Sequence, residues 1–226
     1  MNKWIRYFSW QEYALWLGSA SVILIFFFLF DGENLLTLAA SLIGVTSLIF
    51  NAKGHPAGQV LMIVFSLLYG VISYGFRYWG EMITYLGMTL PMAAAALISW
   101  LRHPYQGRKS QVAVNRIGGG EWIFSLLLTA AVTGIFYFIL RFFDTPNLFF
   151  STLSIATSFL AAYLTFRRSP YFALSYAAND GVLIILWLMA ARAYAAYYSV
   201  VICFAAFLLN DLYGFFSWRL MEGQQA

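Results

Sequence analysis

Apolar residues run almost unbroken through this chain, in stretches cut by charges, prolines and turn clusters. Eight such runs emerge: 14–30, 35–50, 57–76, 82–101, 122–140, 148–166, 171–191 and 193–218. A membrane-spanning helix needs about 20 mostly apolar residues, with a range of about 17–25. The runs are continuous rather than alternating, which predicts helices and not strands. Only helices and closed barrels satisfy every backbone polar group in lipid. The second run is short for a span. Asp31-Gly32-Glu33 before it and Asn51-Ala52-Lys53-Gly54-His55-Pro56 after it supply the turn chemistry that bounds a helix. The first run follows Lys3 and Arg6 but is long, ends in aromatics and carries no small-x-small cleavage site. It reads as a retained first helix, not a signal peptide.

Composition narrows the class. Of 226 residues, 62% are hydrophobic, 20% aromatic and only 10% charged. A soluble domain carries about 25% charged residues, so a soluble globular chain and a disordered one are both excluded. A single cysteine, Cys203, rules out an intrachain disulfide framework and a Cys-based zinc site. The net charge of +4 informs through its placement. With both termini on the cytoplasmic side, Lys3, Arg6, Lys53, Arg102, Arg108, Lys109, Arg116, Arg167, Arg168 and Arg219 fall inside. Arg77, Arg141 and Arg192 fall outside. That asymmetry predicts this orientation, with the 102–120 loop as the surest cytoplasmic marker. The same loop is expected to attract anionic lipid.

Runs two to four resemble runs six to eight. Asn34-Leu35-Leu36 matches Asn147-Leu148-Phe149, Pro56 matches Pro170, and Ser99-Trp100 matches Ser217-Trp218. The offset drifts from 113 to 114 to 118, which puts the extra residues mostly around 190–196. Both triplets begin on the same side, and the fifth helix makes that possible. Parallel repeats of this kind are a transporter architecture with a midplane site between the repeats. The division expected is an N-terminal extra helix over 1–32 and a first triple-helix repeat over 33–103. A basic loop and linker helix follow over 104–145, then a second repeat over 146–220 and a tail over 221–226.

Ionisable residues inside spans are costly and functional by default. Asp180 follows Asn179 in the seventh run, and Asp211 follows Asn210 in the eighth. These pairs line a wet cavity or fix helix packing. Helical spacing places Tyr176, Leu183 and Trp187 around Asp180, and Cys203, Phe207, Gly214 and Ser217 around Asn210. Acids, amides and aromatics together suit a flat, polar, cationic ligand. Most aromatics here are lipid-facing bulk; Trp187 is the exception. Gln59, Ser66 and Ser73 recur every seven residues in the third run with Tyr69 beside them, as a ligand stripe or a packing seam. Glu81 opens the fourth run, followed by Tyr85, Met88 and Pro91. Pro91 is a hinge or a static kink.

No GxxxxGK[ST] loop, HExxH or Cys/His cluster occurs, and Gly118-Gly119-Gly120 has no predicted strand before it. No cofactor, metal or nucleic-acid partner is therefore expected.

Leu68-Tyr69-Gly70-Val71-Ile72, Asn179 and the 210–218 stretch NDLYGFFSW carry a resemblance. Over about residues 35–219 the chain resembles the PnuC nicotinamide riboside transporters, bacterial relatives of the SWEET sugar transporters. The resemblance implies an all-α integral membrane fold: an N-terminal helix plus two parallel three-helix repeats and a linker helix, SWEET-like 3+1+3. It implies a homotrimer in the bacterial inner membrane, facilitated diffusion of nicotinamide riboside without ion or ATP coupling, and trapping by a cytosolic riboside kinase. On this reading Trp187, with aromatics such as Tyr85 and Tyr176, stacks on the pyridinium. Asn179, Asp180, Asn210 and Asp211 bond the ribose or carboxamide, and Gln59, Ser66 and Tyr69 complete the cage. Related members are thought to carry thiamine, riboflavin or deoxynucleosides. The competing readings are the same fold with another vitamin, nucleoside or sugar, a membrane enzyme with an Asp180–Asp211 acid/base pair, or a scaffold subunit.

Overall fold

The computed structural model describes residues 7–75 and 79–226. Lys3, Arg6, Phe76 and Arg77, used in the sequence reading, lie outside the described residues. Among the described residues, eight helices are long and apolar enough to cross a membrane, and the chain is a multi-pass membrane protein. They are α1 (Trp10–Phe30), α2 (Leu35–Ala52), α3 (Ala57–Gly75), α4 with α5 (Trp79–Thr84 and Leu90–Arg102), α6 (Gly119–Phe142), α7 (Leu148–Phe166), α8 (Tyr171–Ala191) and α9 (Tyr198–Gln224).

Local chemistry sets the helix ends. Ser9 and Glu12 form a capping box that starts α1: Ser9 N–H donates to Glu12 Oε2 at 2.6 Å and Glu12 N–H to Ser9 Oγ at 3.3 Å. Asn34 caps α2 by accepting from Thr37 N–H at 3.2 Å. Its repeat counterpart Asn147 stands at the same place before α7 in a left-handed conformation, with no side-chain cap bond. The fourth span is one helix in two halves, joined by a π-helical turn over Tyr85–Thr89. Pro91 sits in the first turn of α5, immediately after it. The wide turn takes up the backbone disruption that a mid-helix proline causes, so the irregularity falls before Pro91.

A small antiparallel hairpin, β1 (Pro104–Tyr105) and β2 (Arg108–Val112), turns through Gln106 and Gly107, both at positive φ. A strand therefore does precede Gly118-Gly119-Gly120, contrary to expectation. It is antiparallel and separated from α6 by an irregular segment over 113–118, so it builds no dinucleotide-binding βα turn.

This segment straps one end of the bundle. Val112 N–H donates to Gly54 O at 3.0 Å, Ala113 N–H to His103 O at 2.8 Å and Asn115 N–H to Arg168 O at 3.0 Å. Gln225 Oε1 accepts from Val114 N–H at 2.7 Å, and Tyr7 hydroxyl donates to Ser110 O at 2.9 Å. The two ends of the described chain and the α2–α3, α5–α6 and α7–α8 connections therefore share the strap end. The opposite end carries Asp31, Glu33, Glu81 and Asp144, and is the acidic end.

The repeat is visible in the bonds. Within each triplet α3 packs on α2 and α5, and α8 on α7 and α9. Across them α2 packs on α9 and α5 on α7, while α6 packs chiefly on α7. Ser99 and Trp100 of α5 donate to Phe166 O and Thr165 O of α7 at 2.8 and 2.9 Å. Ser217 and Trp218 of α9 donate to Ala52 O and Asn51 O of α2 at 2.8 and 2.7 Å. Gly54 and Arg168, at matching corners, both adopt positive φ, 65° and 60°. Glycine takes that conformation freely, whereas arginine is strained in it.

Candidate functional site

The central cavity lies between the triplets, toward the acidic end. From α8 it receives Tyr176, Asn179 and Trp187; from α9 it receives Asp211 and Phe207. The fourth span contributes Glu81 and Tyr85, and α7 contributes Ser151, Ser154 and Ser158. Thr157 hydroxyl donates to Asn179 Oδ1 at 2.8 Å, which fixes the amide and leaves its NH₂ for the cavity. Phe65, Tyr69 and Tyr85 form an aromatic seam, with Tyr69–Tyr85 centroids at 4.7 Å and Phe65–Tyr69 at 4.9 Å. Phe65 reaches Phe207 of the other triplet at 6.1 Å.

Five of the sequence-predicted site residues line this cavity: Asn179, Trp187, Asp211, Tyr85 and Tyr176. Asp180 stands behind Asp211 as its neighbour, 3% exposed, with Oδ2 unpaired among the described residues. Tyr69 lines a separate chamber at the acidic end. The other three pack helices. Asn210 donates to Ser19 Oγ and Ala206 O, both at 2.8 Å, and so ties α9 to α1. Gln59 donates to Asn51 Oδ1 at 2.9 Å, within a buried network that joins α2 to α3 through Ser47. Ser66 donates to Met62 O of its own helix at 2.8 Å.

Several contributors escaped the sequence reading, Thr84, Thr89 and Thr145 among them. Ser151, Ser154 and Ser158 line the cavity at a helical spacing that was available in the sixth run. Their hydroxyl protons go to backbone carbonyls, so they offer the cavity acceptor oxygens. Glu81 was noted only as a helix-end acid, yet it borders the central cavity and both chambers at the acidic end.

Toward the strap, an aromatic plug closes the bundle. Trp100 and Trp218 centroids are 5.4 Å apart, and Phe172 lies 4.9 Å from Trp218 and 6.4 Å from Trp100. At the acidic end Glu81 and Trp187 are walls shared with the two larger chambers.

A largely apolar, aromatic throat set with a few polar groups, inside a helical bundle with reciprocal repeats, is the geometry of a carrier. The family model described as "Nicotinamide mononucleotide transporter" matches residues 34–220. The chain belongs to that family. Two relatives, from Neisseria mucosa and Haemophilus influenzae, are both named nicotinamide riboside transporter PnuC. The first is 23% identical over 218 residues, covering 93% of this chain and 82% of the relative. The second is 22% identical over 213 residues, covering 93% and 91%. A solved structure described as the crystal structure of the vitamin B3 transporter PnuC superposes with a TM-score of 0.81 at 17% identity. It covers 97% of this chain and 94% of that one, and shows that the fold is shared. This PnuC-family chain is thus a transporter, in a family named for transport and not for catalysis.

Proposed function

We propose that this chain carries nicotinamide riboside across the bacterial inner membrane by facilitated diffusion with alternating access. The observation that carries the reading is the central cavity, where aromatic faces, the Asn179 amide and the carboxylates of Asp211 and Glu81 converge between the repeats. Trp187, Tyr85 and Tyr176 offer rings to a pyridinium; Asn179 and Asp211 offer polar contacts to ribose or carboxamide. The names of the two relatives support the substrate.

The strap end is assigned to the cytoplasm. Lys53, Arg102, Arg108, Lys109, Arg116, Arg167, Arg168 and Arg219 lie toward it, against Arg141 and Arg192 at the acidic end. In this state the Trp100–Trp218 plug closes the cytoplasmic side. Alternating access would part that plug while the triplets, 33–103 and 146–220, rock about the connector over 104–145. The π turn before Pro91 is the place for such a hinge. Phosphorylation of the product inside the cell would make the downhill flux one-way.

We assign α6 to a homotrimer interface. It packs chiefly on α7 and leaves Ile123, Phe124, Leu127 and Phe138 more than half exposed, an apolar face open to lipid or to a second copy of the chain.

Calorimetric titration of the purified protein with nicotinamide riboside, thiamine, riboflavin and glucose tests the reading. Saturable binding of the riboside alone is expected. Binding of another vitamin moves the substrate within the same fold, and binding of none overturns the proposal.

A further inference from the structure

The central cavity holds only about 100 Å³. Ligand pockets for small molecules run to about 300–1,000 Å³. A nucleoside does not fit there in this state. The chamber beside it at the acidic end holds about 660 Å³. Its walls are chemically uneven. Tyr69, Trp187 and Tyr197 give it aromatic faces, and Asp31, Glu33 and Glu81 give it carboxylates. No Lys, Arg or His stands among its described lining residues. The Trp187 and Tyr197 rings are in tilted contact, 5.2 Å apart at 57°, and line the chamber as one aromatic wall. Glu81 has no ion-pair partner among the described residues.

We propose that this chamber is a second ligand site, an encounter site that captures cationic aromatic nucleosides before they reach the central cavity, with Glu81 and Trp187 as the wall passed between the two. The proposal rests on the nucleoside-transport reading above. Two features carry it. The first is fit: the chamber, unlike the central cavity, is large enough for the ligand class. The second is charge. A cleft lined by one sign, with low-dielectric walls, concentrates the opposite sign and raises the rate of capture. Aromatic faces then hold a flat cation by its ring. Because Glu81 and Trp187 line both spaces, a ligand leaving the chamber keeps its charge and ring partners while it moves inward.

The test uses the full chain in proteoliposomes, with nicotinamide riboside and its reduced, uncharged dihydro form. The variants are Tyr197→Ala for the encounter site, Glu81→Gln for the wall it shares with the central cavity, and Asn179→Ala for the central cavity alone. Tyr197→Ala is expected to raise the KM for the cation by about five- to tenfold while leaving the maximal rate near wild type. Glu81→Gln is expected to erase the preference for the cation over its neutral form. Fluorescence-detected size-exclusion separates these effects from misfolding. Wild-type KM in Tyr197→Ala and an unchanged preference in Glu81→Gln, with transport lost in Asn179→Ala, overturns the encounter site and leaves the transport reading standing. No uptake of the riboside by the wild type overturns both.

Discussion

Trp100 and Trp218 touch at the strap end, their ring centroids 5.4 Å apart, and each donates its indole N–H to the first helix of the other triplet. Both rings are essentially sealed, at 1% and 0% exposure. One contact therefore serves two purposes. It joins the repeats reciprocally, and it stops the central cavity from opening through that end.

Replacing either tryptophan by phenylalanine removes an indole donor and part of a buried ring. Each single change is expected to cost about 1–3 kcal/mol. The double variant should cost less than the sum, because the rings share one contact. Thermal unfolding in detergent measures all three. Additive costs would show that the pair does not act as a unit.

Residues of the throat and residues of the seams should separate by assay. Asn179→Ala and Asp211→Asn are expected to weaken riboside binding by more than about 1 kcal/mol, the scale of a hydrogen bond to a charged ligand, with little loss of stability. Gln59→Ala should leave binding unchanged and lower stability by about 1–3 kcal/mol, because the buried Asn51 Oδ1 loses its donor. Calorimetry paired with a melting curve on each variant distinguishes the two classes.

Gly58→Ala should be destabilising. A Cβ there would stand 2.8 Å from the Asn51 backbone nitrogen, which is held in the α2 ladder and cannot retreat. Overpacking of this kind costs about 1–3 kcal/mol. Gly18→Ala, where no atom lies within 4 Å, is the control and should be tolerated.

His55 gives the α2–α3 corner a pH dependence. Its Nδ1 accepts from Ala57 N–H at 3.0 Å, and burial holds the imidazole below its ordinary value. The folded chain thus takes up the proton less readily than the unfolded one. The contribution is full above about pH 6.5 and is lost as the pH falls through the lower folded value. His55→Asn, which keeps an acceptor without titrating, is expected to flatten the stability profile between about pH 7 and 5. A slope equal to wild type would exclude His55 as its source.

Much of the architecture was legible in the chain. The lengths of the apolar runs set eight spans, and Asn34, Pro56, Pro170 and the charged clusters marked most of their ends, because run length and turn chemistry act locally. The Ser-Trp match also survived, as the reciprocal bonds between triplets. The strap hairpin did not show, since five polar residues around Gln106-Gly107 are too short a signal to separate from loop. The π turn also escaped: Pro91 signalled a disruption, and its form depended on how the surrounding helix absorbed the lost hydrogen bond.

The site was half legible, and Asn210 and Asp211 show why. They are adjacent, equally polar and equally deep in one helix, yet Asn210 turns to Ser19 of α1 and Asp211 turns to the cavity. A helix in lipid is apolar on nearly every side, so its sequence lacks the polar face that tells a soluble helix which way to turn. The sequence alone determined that buried amides and acids exist and at what depth. Only the packing of α1 on α9, α2 on α3 and α7 on α8 decided which of them were consumed in seams and which were left for a ligand.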